Sequence, residues 1–150
     1  MSTSTSTRTT AGAVVLLTRL ARSVYRHVDQ EKLGMKLKEF AMLSYLSESG
    51  TTQRELSDVM GIDANMVVLL LNGLEERGFA VRERDREDRR RHIVRNTPAG
   101  RKALVRAERA LEGVTDEALG ALDAEERGVL RALLAKALGD GALAATADGV

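Results

Sequence analysis

Apolar residues recur along this chain with two different periods. Val14, Leu17, Leu20, Ala21 and Val24 fall on one stripe at steps of three and four, which predicts a helix from Ala11 to about Glu31. Leu37, Phe40, Ala41 and Leu43 continue that spacing between Lys36 and Ser47. Val67, Leu70, Leu71 and Leu74 repeat it as i, i+3, i+4, i+7 and must form the buried face of a helix from about Ala64 to Arg77. Two more stripes follow: Leu104, Ala107, Leu111 and Val114 on a helix reaching roughly Leu119, then Val129, Leu130, Leu133, Leu134 and Leu138 on a last one. Between Gly78 and Gly100 the period changes. Phe79 and Val81 lead into the stretch from Asp85 to Arg91, which has no apolar residue, and Ile93 and Val94 lead out of it. Strand, charged tip, strand is the pattern of a β-hairpin with a loop longer than a two-residue turn.

The residues between the stripes punctuate these elements. Ser49-Gly50 stops the second helix, and Thr51-Thr52 starts a short one, Gln53 to Met60, that Gly61 ends as a C′ residue. Asp63 is placed to N-cap the next helix and Gly78 to terminate it. Thr97 with Pro98 opens a helix, and Asp123 with Glu126 has the spacing of a capping box. Two short helices joined by a Gly-containing turn, followed at once by a hairpin, make a winged helix-turn-helix. The expected fold class is therefore mainly α with a small β-hairpin wing, carrying a helical dimerisation arm. Residues 1–10, rich in Ser and Thr, are expected to be a disordered tail, and 146–150 a second one. Residues 11–145 then form one domain, with the winged core at about 36–97 and dimerisation helices at about 11–31 and 98–140. The stripes of the outer helices exceed what a small winged domain can cover. A second copy would bury them through Leu17, Leu104, Leu111, Leu130, Leu133 and Leu134; the alternative is an intramolecular three-helix cap.

Composition narrows the function. With no cysteine, disulfides, thiolate metal sites and thiol redox sensing are all excluded. His27 and His92 stand far apart without cysteine partners, so no metal site or cofactor is indicated. No Ser-His-Asp arrangement, phosphate-binding Gly loop or paired-carboxylate setting stands out, and the chain does not read as an enzyme. No apolar run approaches the ~20 residues of a membrane span and the N-terminus lacks an apolar signal core, which points to the cytoplasm and no membrane partner. Charge changes the picture most. From Phe79 to Lys102 there are nine Lys/Arg against four Asp/Glu, an excess of five, whereas the whole chain carries only +1. Such a concentration is an electrostatic footprint for nucleic acid; the bland alternative is a solvated tip whose acids pair with its own arginines.

The run Leu74-Glu75-Glu76-Arg77-Gly78-Phe79, then Asp85-Arg86-Glu87-Asp88-Arg89-Arg90-Arg91, then Val94, Thr97, Ala99 and Gly100 resembles the multiple-antibiotic-resistance regulator (MarR) family of bacterial transcription factors. Asp88-Arg89-Arg90 corresponds to that family's Asp-x-Arg wing motif. The resemblance implies a homodimeric regulator, here read as a repressor, that binds double-stranded DNA at a pseudo-palindromic operator and is released by a small aromatic effector. It implies that Arg90 enters the minor groove and that Asp88 orients it, while Arg86, Arg89 and Arg91 meet phosphates. Physics supports the first role, because a narrow minor groove concentrates negative potential and a guanidinium is weakly hydrated. The remaining DNA-facing candidates are Thr52, Gln53, Asp63, Ala64, Asn65, Met66, Val68 and Leu69.

Two departures from the family pattern stand out. Val68 and Leu69 occupy positions where relatives usually carry Thr and Arg, so base readout is expected to rest on the first helical turn: Asn65 for adenine, and Met66 or Val68 for thymine methyl groups. Asn96 replaces the usual Leu before the last Thr of the wing, which leaves the packing of that strand open. For an effector, Arg19, Tyr25, His27, Phe40 and Tyr45 are the candidate pocket residues. The alternative function is a winged-helix protein-interaction module that docks a partner on the apolar Met66-Val68-Leu69 face.

Overall fold

A computed structural model describes residues 3–139, with side chains from residue 12 onward. In chain order it contains α1 (Thr3–His27), α2 (Gln30–Leu33), α3 (Leu37–Tyr45), β1 (Thr51–Thr52), α4 (Gln53–Met60), α5 (Ala64–Glu76), β2 (Ala80–Arg84), β3 (His92–Asn96), α6 (Pro98–Ala118) and α7 (Ala124–Leu138). This is the mainly helical fold with a hairpin that the periodicities predict.

Several boundaries differ from expectation for identifiable reasons. The first helix begins at Thr3, so most of the stretch read as a tail is helical. No proline or turn pair separates it from the amphipathic segment, and extending an existing helix costs far less than nucleating one. Met1, Ser2 and the 146–150 tail lie outside the described residues. At the other end the helix stops at His27 instead of Glu31. Asp29 is extended (φ −92°, ψ 107°) and its carboxylate accepts the backbone N–H groups of Glu31 and Lys32, which starts α2 as a separate turn. Gly34 at φ 78° closes it. Thr51 and Thr52 do more than start α4: they form β1, so the sheet has three strands in the order β1-β3-β2. Thr51 opposes Val94 and Thr52 opposes Ile93, while β2 and β3 pair from Ala80–Asn96 to Arg84–His92. Asn96 keeps this register, and its amide donates to the Leu46 carbonyl at 3.3 Å, so a polar bridge to the α3 end replaces apolar packing.

The core lies where α3, α4 and α5 meet the sheet. Met42, Leu43, Leu56, Val67, Leu71, Leu74 and Val94 are fully buried. The stripe of α5 is the expected one, whereas that of α3 is rotated: Glu39, Met42 and Leu43 are buried, and Leu37, Phe40 and Ala41 only half-buried. Removing Leu71 to Ala would cost about 2–5 kcal/mol, as for other filled core leucines. Ala103 and Ala107 seat α6 against this core, with the half-buried Leu104 and Leu111 packed beside it. The outer helices differ. Val14 and Leu17 on α1 are at least half exposed, Leu133 on α7 is 58% exposed, and α7 has no buried residue. No single helix among the described residues is long and apolar enough to cross a membrane.

Candidate nucleic-acid interface

The helix-turn-helix is built by caps. Thr52 accepts the Glu55 N–H and Glu55 returns a bond to Thr52 N–H, fixing the start of α4; Gly61 at φ 63° ends it. Asp63 then accepts the Met66 N–H at 2.8 Å and opens α5, the two helix axes being bent by 110°. The polar tips of Thr52 and Asp63 are thereby engaged in capping. Two residues of offset on a helix amount to about 200°, so the stripe Asn65, Val68, Leu69 and Asn72 stands opposite the buried stripe Val67, Leu70, Leu71 and Leu74. All four outer residues are exposed, together with Ala64. Met66 is not among them. It is half-buried against the core, because the helical phase turns it toward α3. Gln53 is half-buried in the first turn of α4.

The wing is tied to this helix at both ends. Arg82 on β2 donates to the Asn72 amide oxygen at 2.9 Å and pairs with Glu75 at 2.8 Å, which locks the strand to α5. At the base, the Thr97 hydroxyl donates to the Gly78 carbonyl at 2.6 Å and the Thr97 N–H to the Phe79 carbonyl at 3.2 Å. A side chain at Gly100 would run into the Phe79 backbone, so glycine there lets α6 close on the hairpin. Beneath, Arg77 joins the buried Glu39, donates to the Gly34 and Gly73 carbonyls, and covers the Phe79 ring at 5.5 Å. None of these long-range ties was visible in the sequence pattern, although a carboxylate on the Glu39–Met42–Leu43–Leu46 stripe was a signal that a cation must come to meet it.

At the tip, Asp85 is the organising group. It is 7% exposed, accepts the Glu87 N–H at 3.0 Å and pairs with Arg91 at 2.7 Å. The Glu87 N–H and then the Arg91 guanidinium hold its carboxyl below the ordinary value, and Arg91 is raised in turn by Asp85. Arg91, expected as a phosphate contact, clamps the loop through its bond to Asp85 while its side chain stays 55% exposed. It sits six residues from Asp85 across the hairpin, where the strand register brings the two together. Asp88 accepts the Arg90 N–H at 3.1 Å and lies 3.5 Å from Arg90 Nε, while the Arg90 side chain is 95% exposed. Arg86 and Arg89 are exposed and form no ion pair among the described residues. Elsewhere in the basic stretch, acids of the domain answer the cations: Glu83 meets Arg95 at 3.4 Å and Glu48 meets Arg101 at 3.1 Å. Among the described residues the cations of this stretch that form no ion pair are therefore Arg84, Arg86, Arg89 and Lys102, while Arg90 is paired with Asp88 but projects into water.

The expected effector residues do not converge. Tyr25 lines a groove of about 540 Å3 with Val28, Lys36, Leu37, Met66 and Leu69, between α1 and α5. Arg19 shares a different surface hollow with Tyr25, and His27 lines a third beside Arg109 on α6. Phe40 and Tyr45 pack against the core. The reason is helical phase: Tyr25 and His27 are two residues apart on α1 and point to opposite sides.

A helix-turn-helix braced to a hairpin with a solvent-projecting arginine defines a winged-helix protein. Residues 33–91 match the sequence profile of the MarR family. Over 96 residues the chain is 35% identical to a Thauera aromatica protein assigned to regulation of the hcr operon, covering 63% of this chain and 58% of that relative's length. Its fold matches a crystal structure of MarR with a TM-score of 0.72 and 26% identity, over 81% of this chain and 85% of the other. It also matches a Pseudomonas aeruginosa protein classed as a transcriptional regulator, with a TM-score of 0.70 and 27% identity over 82% and 94% of the two chains. Over residues 33–91, and in its fold, the chain is therefore similar to MarR-family proteins, and it spans less than two thirds of the length of the Thauera aromatica relative.

Proposed function

We propose that the chain is a sequence-specific DNA-binding transcriptional regulator that acts as a homodimer on a pseudo-palindromic operator, and as a repressor where that operator overlaps a promoter. The wing carries this reading: Arg90 projects 95% exposed from a loop that Asp85, Asp88 and Arg91 hold closed, beside a helix whose outer stripe makes no core contact. In this proposal Arg90 enters the minor groove, Arg86 and Arg89 meet phosphates, and the first turn of α5 faces the major groove with Ala64 and Asn65. The exposed apolar residues of α1 and α7, Val14, Leu17, Val129 and Leu133, support a dimer in which a second copy covers them. The protein would then work in the cytoplasm, at the nucleoid.

The groove lined by Tyr25, Leu37 and Met66 suits a small aromatic effector, and its charged lining is balanced, Lys36 and Lys38 against Glu39 and Glu76. Because Leu69 and Asn72 line it too, an occupant would disturb the helix that faces DNA. A second reading keeps one observation in its favour: Val68 at 37% and Leu69 at 61% exposure give α5 an apolar outer face that a partner protein could cover. Titrating the chain against duplexes enriched from a random-sequence pool, with light scattering on the same sample, separates the two. The regulator predicts two chains per duplex and saturable binding; a monomer with no affinity for any duplex at low salt would contradict it.

A further inference from the structure

The outer face of α5 lacks a hydrogen-bonding vocabulary in its middle. Asn65 lies at the helix start, Asn72 has its side-chain oxygen engaged by Arg82, and between them stand only Val68 and Leu69. Both are free of the core, whose stripe is on the other side of the helix. An apolar side chain pressed on a base edge strips water from donors and acceptors without replacing their bonds, which is unfavourable against guanine, cytosine or adenine. The major groove offers one apolar group, the C5-methyl of thymine.

We infer that Val68 and Leu69 are specificity-determining residues that select thymine through its 5-methyl group. The inference rests on the DNA-binding reading above and adds to it what the recognition helix reads. Val68 and Leu69 stand about 100° apart around the helix, so each presents its own methyl groups toward a neighbouring base step. Selection then comes from burial of the thymine methyl and from rejection of bases whose polar edges would be left unpaired, without any bidentate contact at these positions.

The test replaces thymine by uracil, which differs only in lacking the methyl. A duplex enriched from a random pool by the protein is resynthesised with one thymine at a time changed to uracil, and binding is followed by fluorescence anisotropy. At the thymines under Val68 and Leu69, each substitution should weaken binding about fourfold, the ratio that corresponds to burial of one CH2-sized group. Elsewhere uracil should have no effect. Where such a thymine is replaced by cytosine, 5-methylation of that cytosine should recover part of the loss. In the Val68→Ala/Leu69→Ala double variant the uracil penalty should disappear, while its melting temperature stays that of the parent because both side chains are outside the core. Tight, selective binding with no uracil-sensitive position would overturn this inference and leave the DNA-binding reading standing. A uracil penalty that survives in the double variant would overturn it as well, since another group would then be reading the methyl. Failure to bind any duplex would overturn both and favour a protein partner on this face.

Discussion

Two arginines, each beside a carboxylate, sit at opposite ends of the winged unit and do opposite work. Arg77, at the end of α5, joins a Glu39 side chain that is 5% exposed and adds bonds to the Gly34 and Gly73 carbonyls. Arg90, at the wing tip, is 95% exposed beside an Asp88 that is itself 41% exposed. In the first pair Glu39 is shut away from water, so removing Arg77 strands a buried carboxylate, although Arg77 itself is partly exposed. In the second, water and salt screen the contact, and its direct contribution to stability is ~0–1 kcal/mol. The same two functional groups are a structural lock in one place and an aimed, dispensable charge in the other, and burial alone makes the difference.

The comparison breaks most visibly at Arg77. Arg77→Ala leaves Glu39 buried without its cation and should destabilise the chain by about 3 kcal/mol, the low end of the range for severed buried pairs because Arg77 itself is partly exposed. For a chain of this size that is a fall of roughly 10 °C in melting temperature. An unchanged melting temperature would mean that the pair is as weak as the one at the tip. Asp88→Ala sharpens the other side. On charge alone, removing an acid from the wing should tighten DNA binding. Because Asp88 fixes both the Arg90 backbone and its guanidinium, operator affinity should instead drop by about 1 kcal/mol, the worth of a lost positioning bond. Tighter binding would reduce Asp88 to a bystander.

Asp85 lies between the two extremes and gives the smallest effect. Its folded pKa is lowered, so its contribution is complete above the ordinary carboxylate value of about 3.9 and is lost as pH falls through the folded value. Asp85→Asn should therefore melt below the parent at neutral pH, with the two melting temperatures converging below about pH 4. A gap that persists into that acid range would mean that the neutral carboxyl braces the loop as well as the charged one.

What was legible in the sequence was local. Gly61, Gly78, Asp63, Thr97-Pro98 and the Asp123–Glu126 box each act within one turn of the chain, and each ends or begins an element where its chemistry requires. Val67, Leu70, Leu71 and Leu74 were legible because burial follows helical period. The rest depended on partners distant in sequence. β1 is two residues long and exists only because β3 lies beside it. Arg77 and Glu39 are separated by 38 positions, so periodicity could not reveal that one neutralises the other. At the wing the composition located the charge but could not apportion it: Arg91 and Arg90 are neighbours of the same type, and only the hairpin register sets the first against the buried Asp85 and leaves the second almost wholly in water. The scattered placement of Arg19, Tyr25 and His27 has the same origin, since a pocket depends on helix phase and packing that a list of polar-tipped residues does not contain.

The proposed DNA-binding role turns most directly on Arg90, whose side chain is 95% exposed and in that proposal enters the minor groove. Arg90→Ala should be measured twice, by thermal melting and by anisotropy on a duplex enriched from a random pool. Stability should stay within about 0.5 kcal/mol of the parent, while binding weakens by about 1–3 kcal/mol, on the order of ten- to a hundredfold. A variant that melts as the parent does and binds the duplex as tightly would contradict it.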